Sequence, residues 1–423
     1  MRLRSLCFWL LISAGMASHM AHAGGPLYVQ AFRTLYDGPF HHSDVGHAIA
    51  ADGLGGCYSG GWNYNPTDAD YHARLLAYDG SGNLRWTLTA TEPSINTHIR
   101  LFRPPALEDV WLAYEANHLA CPFLHVVRIS NTGLVRFDKT VPLNSEVRVD
   151  PPGLYVDASG YAYLTYGLGG AAMAMKIGPQ GNVHWKRAII TSGQAVGMAI
   201  QADSQGIYVA GIEKPLAGGY FTAKLKPSGV VEWLTKDAGA IGNTLGPAFL
   251  ERQGDGVIVV TTPESTFGVP RYRISRLAAA TGTVLWAKEY RPSSFTADGE
   301  AVGLGVDQAG NAYVAGFRVQ PQLGSFIVKY AANGVRLWER TLAAGGGHTA
   351  SALVVNPQGH AFIGTLSGIL SGVNAQGQSL YFGQRKGYYR GLAVDSIGHV
   401  FAIGSVFNKT TSDDFVTVKL RPQ

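Results

Sequence analysis

The sequence predicts an all-β fold: an eight-bladed β-propeller, with a seven-bladed ring as the alternative, in which an N-terminal strand closes the last blade. Three observations carry that prediction. A Gly-x-x-x-aromatic motif recurs seven times, an Asp-x-x-Gly turn lies upstream of most copies, and no amphipathic helical period falls between them. Composition agrees. With 54 glycines, 46% hydrophobic and 15% charged residues in 423, the chain can bury a core, and so much glycine opposes long helices.

The N-terminal segment reads as a secretory leader. Arg2 and Arg4 precede an apolar run over residues 6–12, and Ala21-His22-Ala23 is a small-x-small cleavage site. The run is too short to span a bilayer. Residues 1–23 are therefore expected to be removed, leaving 24–423 as a single propeller domain in the periplasm or secreted. Cys7 has no lipid-attachment box around it, so no membrane anchor is expected. Cleavage lowers the formal charge from +5 to +3, and no basic run concentrates it, which argues against nucleic acid. Cys57 and Cys121 remain, compatible with a disulfide that spacing alone does not establish.

The aromatic motif runs through Gly82–Trp86, Gly133–Phe137, Gly181–Trp185, Gly229–Trp233, Gly282–Trp286, Gly334–Trp338 and Gly377–Tyr381. Its aromatics stand 43 to 53 residues apart, and five of the eight tryptophans occupy this slot. A residue type repeated in every unit points to packing between neighbouring sheets.

The second motif is fullest at Asp307, Gly310, Tyr313 and Gly316, and recurs at Asp52, Gly55, Tyr58, Gly61 and at Asp395, Gly398, Phe401, Gly404. Looser copies start at Asp157, Asp203 and Asn356. Asp followed three residues later by Gly is a tight-turn signal, and the alternating stretch after it reads as a strand. Four residues before the turn stand Ala48, Gly153, Ala199, Gly303, Ala352 and Gly391, all small, as strands converging on a crowded axis require. The next residue is a branched aliphatic in each case, from Ile49 to Leu392, facing the opposite way. A third strand precedes each aromatic motif and carries a recurrent base (Arg128, Lys176, Lys224, Lys329, Lys419), expected to pair with a blade carboxylate or a backbone carbonyl. Four short strands per repeat of this length make a propeller blade.

The eighth unit ends without a fourth strand. Gly25-Pro26-Leu27-Tyr28-Val29 repeats the Gly-plus-four spacing at the other end of the mature chain, so the N-terminus is expected to complete that blade and remove an open sheet edge. The second unit (residues 107–118) and the fifth (250–260) lack the Asp-Gly-Tyr-Gly signature, which is why seven blades remains an alternative.

These repeats resemble those of bacterial secreted β-propellers of the quinoprotein-like group. Residues 276–290 (RLAAATGTVLWAKEY) are similar to that group's alanine-rich turn, Thr-Gly, apolar strand and Trp; residues 306–317 (VDQAGNAYVAGF) more closely resemble the Asp-Gly-Tyr-Gly repeats of secreted bacterial propellers. The resemblance implies architecture and leaves activity open, because such folds host many functions. Many quinoprotein dehydrogenases set a vicinal Cys pair against their quinone, and this sequence has none. No quinone or other cofactor is therefore expected.

Function is expected where the blades differ, in the segments leading into each inner strand around one mouth of the channel. His41, His42, Ser43, Asp44 and His47 lie there in the first unit, Glu300 in the sixth, His348 in the seventh, and Tyr388, Tyr389 and Arg390 in the eighth. Converging imidazoles and carboxylates suit acid–base chemistry or metal ligation; a solvated rim uses the same residue types, and no metal is assigned. Residues 63–70 (NYNPTDAD) offer oxygen ligands without calcium-loop spacing and read as a hairpin tip. The resulting expectation is a monomeric, noncatalytic exported scaffold that binds a protein or carbohydrate partner on one face. The alternatives are an enzyme at the channel mouth (lyase, hydrolase or quinone-dependent oxidoreductase) and a purely structural envelope component.

Overall fold

The computed structural model describes residues 28–93, 99–118, 121–143, 152–191, 194–214, 219–237, 245–263, 272–290, 301–318, 324–344, 349–384, 386–410 and 412–423. Its regular elements are strands, assembled into eight antiparallel four-stranded sheets. The first blade is typical: Asp44–Ala51, Cys57–Asn65, Asp70–Tyr78 and Leu84–Pro93 pair in chain order. The first strand of each blade contacts the first strand of the next, all the way round the ring, so these are the inner strands. The second and fifth units form complete sheets, beginning at Ile99–Phe102 and Leu245–Gln253, and the ring has eight blades rather than seven.

Each Asp-x-x-Gly segment is the turn between inner and second strands. In the sixth blade the Gly310 N–H donates to Asp307 O at 2.9 Å, and the Asp307 carboxylate accepts from the Asn311 N–H at 2.9 Å and the Tyr313 hydroxyl at 3.0 Å. Gly310 sits at φ +80°, where a side chain would be strained. The small residues upstream have the expected reason: a Cβ on Gly303 would come within 2.7 Å of Leu353 on the next inner strand.

The aromatic motif joins the blades. Trp86, Trp185, Trp233, Trp286 and Trp338 each donate their indole N–H to a turn carbonyl of the following blade, at 2.8 to 3.1 Å. The motif glycine of that next turn lies flat on the ring: a Cβ on Gly334 would fall 2.8 Å from Trp286, and Gly334 itself has φ +82°. The recurrent bases serve the same seams. Arg128 pairs with Asp109 at 2.7 Å and donates to Pro179 O, and Lys329 donates to Ala375 O at 3.0 Å. Residues 63–70 span the hairpin between the second and third strands of the first blade.

Closure follows the expected route with one correction. Tyr28–Tyr36 pairs along its length with Ser412–Pro422 and completes the eighth blade. The aromatic slot, however, is filled by Phe32, opposite Lys419, and not by the residue four after Gly25. This strand lies at the opposite end of the chain from the third strand it pairs with, and its register is set by what it packs on: Phe32 covers Gly82, and the Thr34 hydroxyl donates to Gly82 O at 3.1 Å. Tyr28 reaches back to the seventh blade, with its ring 4.8 Å from Phe362 and its hydroxyl 3.3 Å from His360 Nδ1. Cys57 is a buried free thiol whose pKa burial pushes up to about 12, so the disulfide that spacing allowed does not involve it; the Cys121 side chain lies outside the described residues.

Two outcomes test this architecture. Deleting residues 24–35 opens the ring, and the truncated protein should lose its cooperative melt and aggregate. At one joint, Trp286→Phe should cost ~1 kcal/mol through the lost N–H bond and Trp286→Ala about 3–5 kcal/mol, both read by denaturant titration.

Candidate functional site at the seam between the eighth and first blades

A β-bulge near the start of the inner strand recurs in six blades and leaves one or two residues outside the ladder. These residues are Met198, Gly246 with Pro247, Val302, Ser351, Arg390 and His47. Bulges re-aim side chains, and the same backbone device presents a different residue in each of these six blades. Charge and imidazole fall in adjacent blades, the eighth and the first.

There Arg390 Nη1 donates to His47 Nε2 at 2.9 Å. A guanidinium only donates, so His47 Nε2 is an acceptor and the ring carries its proton on Nδ1. The Arg390 guanidinium also lies 5.0 Å over the Tyr388 ring, and the Tyr388 hydroxyl donates to Asp413 at 2.8 Å. Burial, with Asp413 close by, pushes the Tyr388 phenol up to about 12. On its other side His47 stacks on Trp62 at 6.0 Å. Trp62 meets Tyr71 at 4.3 Å, Tyr71 meets Tyr64 at 5.2 Å, and exposed His42 packs edge-on against Tyr64 at 5.5 Å. Rings thus run without a break from the rim to the seam.

Asp44 opens the inner strand of the first blade with its carboxylate turned inward, accepting the Gly38 N–H. Burial pushes this carboxyl up to about 7; Asp37 and Asp414 add to the rise, while Gly38 and Arg74 oppose it. Asp37 is engaged by His41 at 2.5 Å, and Arg74 donates to the Tyr36 hydroxyl and covers its ring.

Of the residues expected at the channel mouth, His42, His47, Tyr388 and Arg390 therefore join one continuous set of contacts, and Asp44 sits beside it in the same seam. Tyr389 is buried in the core shared by the seventh and eighth blades. Glu300 and His348 lie outside the described residues. Sequence reasoning missed Trp62, Tyr64, Tyr71 and Asp413. The signal available was Trp62 itself, a tryptophan outside the repeat slot and beside an alternating polar–aromatic stretch.

A second shifted carboxyl lies between the inner strands of the fourth and fifth blades. Glu251 accepts from Gln201 Nε2 at 2.8 Å, forms no ion pair among the described residues, and is pushed by burial up to about 7. An acid whose pKa is raised on folding holds its proton in the native state while the unfolded chain has already lost it. Stability then falls as pH rises from about 4 to about 7 and levels off above that. Thermal unfolding should therefore show a higher Tm at pH 5 than at pH 8. Asp44→Asn and Glu251→Gln should each flatten that difference by on the order of 1–3 kcal/mol.

Neither a protein-family model nor a curated protein sequence matches the chain. Solved structures do match its fold. BamB from Moraxella catarrhalis aligns at TM-score 0.57 and 13% identity over 93% of this chain and 99% of that one. The quinohemoprotein alcohol dehydrogenase from Comamonas testosteroni aligns at TM-score 0.60 and 10% identity over 93% and 76% of the two chains. The Dos1 propeller aligns at TM-score 0.58 and 9% identity over 92% and 94%. At these identities the shared property is the fold, and the eight-bladed propeller architecture implied by the sequence resemblance is what the chain adopts.

Proposed function

We propose that the protein is an exported, noncatalytic propeller that acts as a monomer and engages a protein partner through the ring face carrying the starts of its inner strands. The observation that supports this reading is the seam between blades eight and one. Repeat positions elsewhere are occupied by packing residues, whereas here the bulge residues are Arg390 and His47, backed by Tyr388 and Trp62. Arg, Tyr and Trp on a rigid scaffold are the residue types that dominate protein-recognition energetics. The leader-like residues 1–23 support export. A carbohydrate partner on the same face is the competing reading.

Incorporating a photo-crosslinking phenylalanine analogue at His42, on the proposed face, and at Leu285, on an outermost strand, separates face-specific binding from general stickiness. In cells, position 42 should yield a discrete protein adduct and position 285 should not. Equal labelling from both positions, or adducts from neither, contradicts the reading. N-terminal sequencing of the purified mature protein should begin at Gly24.

A further inference from the structure

We propose that the seam between the eighth and first blades receives an acidic segment of a protein partner, with one carboxylate seated on Arg390 and others met by Lys386 and Lys409. The inference rests on the binding reading above and adds the chemistry of the partner. Arg390 is half-buried, and its described contacts are an imidazole acceptor and the face of a ring, neither of which neutralises it. A half-buried cation without a counter-ion is costly, and an incoming anion relieves that cost. One guanidinium nitrogen, Nη1, is committed to His47. Nη2 takes no described hydrogen bond, and Nε lies buried behind it, also without one. Nη2 is thus the donor left for a carboxylate, through a charge-assisted hydrogen bond.

Among the described residues the nearby acids bond other groups, and none forms an ion pair with Arg390. Asp413 accepts the Tyr388 O–H, Asp414 accepts Asn408 Nδ2 at 3.0 Å, and Asp37 is taken by His41. Blade eight carries two exposed lysines on this same face: Lys386 just before the inner strand Tyr388–Val394, and Lys409 in the hairpin between Val400–Asn408 and Ser412–Pro422. Neither belongs to an ion pair among the described residues. The ladder sets Tyr388 opposite Ser405, so the hairpin carrying Lys409 extends past the same end of the blade that carries Lys386. Phe407, strongly exposed beside that hairpin, offers an apolar contact. A peptide is favoured over a uronate sugar because Trp62 is already occupied, with His47 stacked on it and Tyr71 against it, and so lacks the open ring face on which a sugar stacks.

The test measures fluorescence anisotropy on the full mature protein with three labelled probes: a hexapeptide of glutamates and phenylalanines, its glutamine counterpart, and a galacturonate oligomer. The glutamate peptide should bind at least about 10-fold tighter than the glutamine peptide. Arg390→Gln should weaken it about 10- to 100-fold, and Arg390→Lys should weaken it less because it keeps the charge. Lys386→Gln with Lys409→Gln, exposed changes that leave the core untouched, should weaken binding and reduce its salt dependence. Equal affinity for the two peptides, unchanged affinity in the folded Arg390 and lysine variants, or preference for galacturonate overturns the proposal. If the position-42 crosslink persists undiminished in Arg390→Gln, the acidic-segment inference fails while the binding reading stands.

Discussion

The joint between an aromatic side chain and the glycine of the next blade's turn is the constraint on which the rest of this ring depends. The ring presses on a backbone that has no Cβ, the indole N–H ties to a carbonyl of the same turn, and in several blades a residue two places further on bonds the glycine carbonyl. Thr235 does so with Gly282, Arg340 with Gly377 and Thr34 with Gly82. One half of each joint lies in one sheet and the other half in its neighbour, so no blade is complete alone. Stability in such an array is shared between units and their interfaces. Gly and Trp keep their spacing because both halves of successive joints must arrive at the outer rim together.

Closure places a special demand on one seam. Seven joints repeat around the rim, and the one onto the first blade is built by the N-terminal strand, Phe32 standing where other blades use a motif aromatic. In the eighth blade the third and fourth strands are not consecutive in the chain, and Tyr28 spans the gap to the seventh blade. The seam between eight and one carries polar contacts as well. Ser59 bonds Thr417 at 3.0 Å, the Gly46 N–H donates to Ser405, and Lys419 donates to Gly55 O at 2.6 Å. The chain ends, the buried Asp44 and the Arg390–His47 pair thus share one part of the molecule. An occupant of that seam would bear directly on the contacts that hold the ring shut.

Much of the fold was legible because repetition averages out local ambiguity. The turn aspartates and the small inner-strand residues were each read from several copies and perform their expected roles; of the third-strand bases, Arg128, Lys224, Lys329 and Lys419 pair as expected, whereas Lys176 lies over the rings of Tyr161 and Tyr163. The second and fifth blades were doubtful because their inner turns lack the Asp-Gly-Tyr-Gly signature, yet strand pairing and the shared joints suffice to build them. The closing strand was found but its register was not, since spacing counted from Gly25 cannot know that Gly82, across the seam, selects Phe32. The site was only partly legible for a related reason. His47 and Arg390 stand out as departures from the repeat, but their contact spans 343 residues and depends on bulges that leave no sequence mark. Tyr389 looked like its neighbour Tyr388, and strand alternation sends the two in opposite directions, one into the core.

Native-state hydrogen exchange tests the closed ring most directly. If the N-terminal strand is an integral part of the eighth blade, the ladder amides within Phe32–Tyr36 should exchange only through global unfolding, as slowly as those of the outer strand Val284–Tyr290 in the fifth blade. Exchange of the N-terminal strand orders of magnitude faster, while the fifth blade stays protected, would show a ring that opens at this seam and would contradict the account.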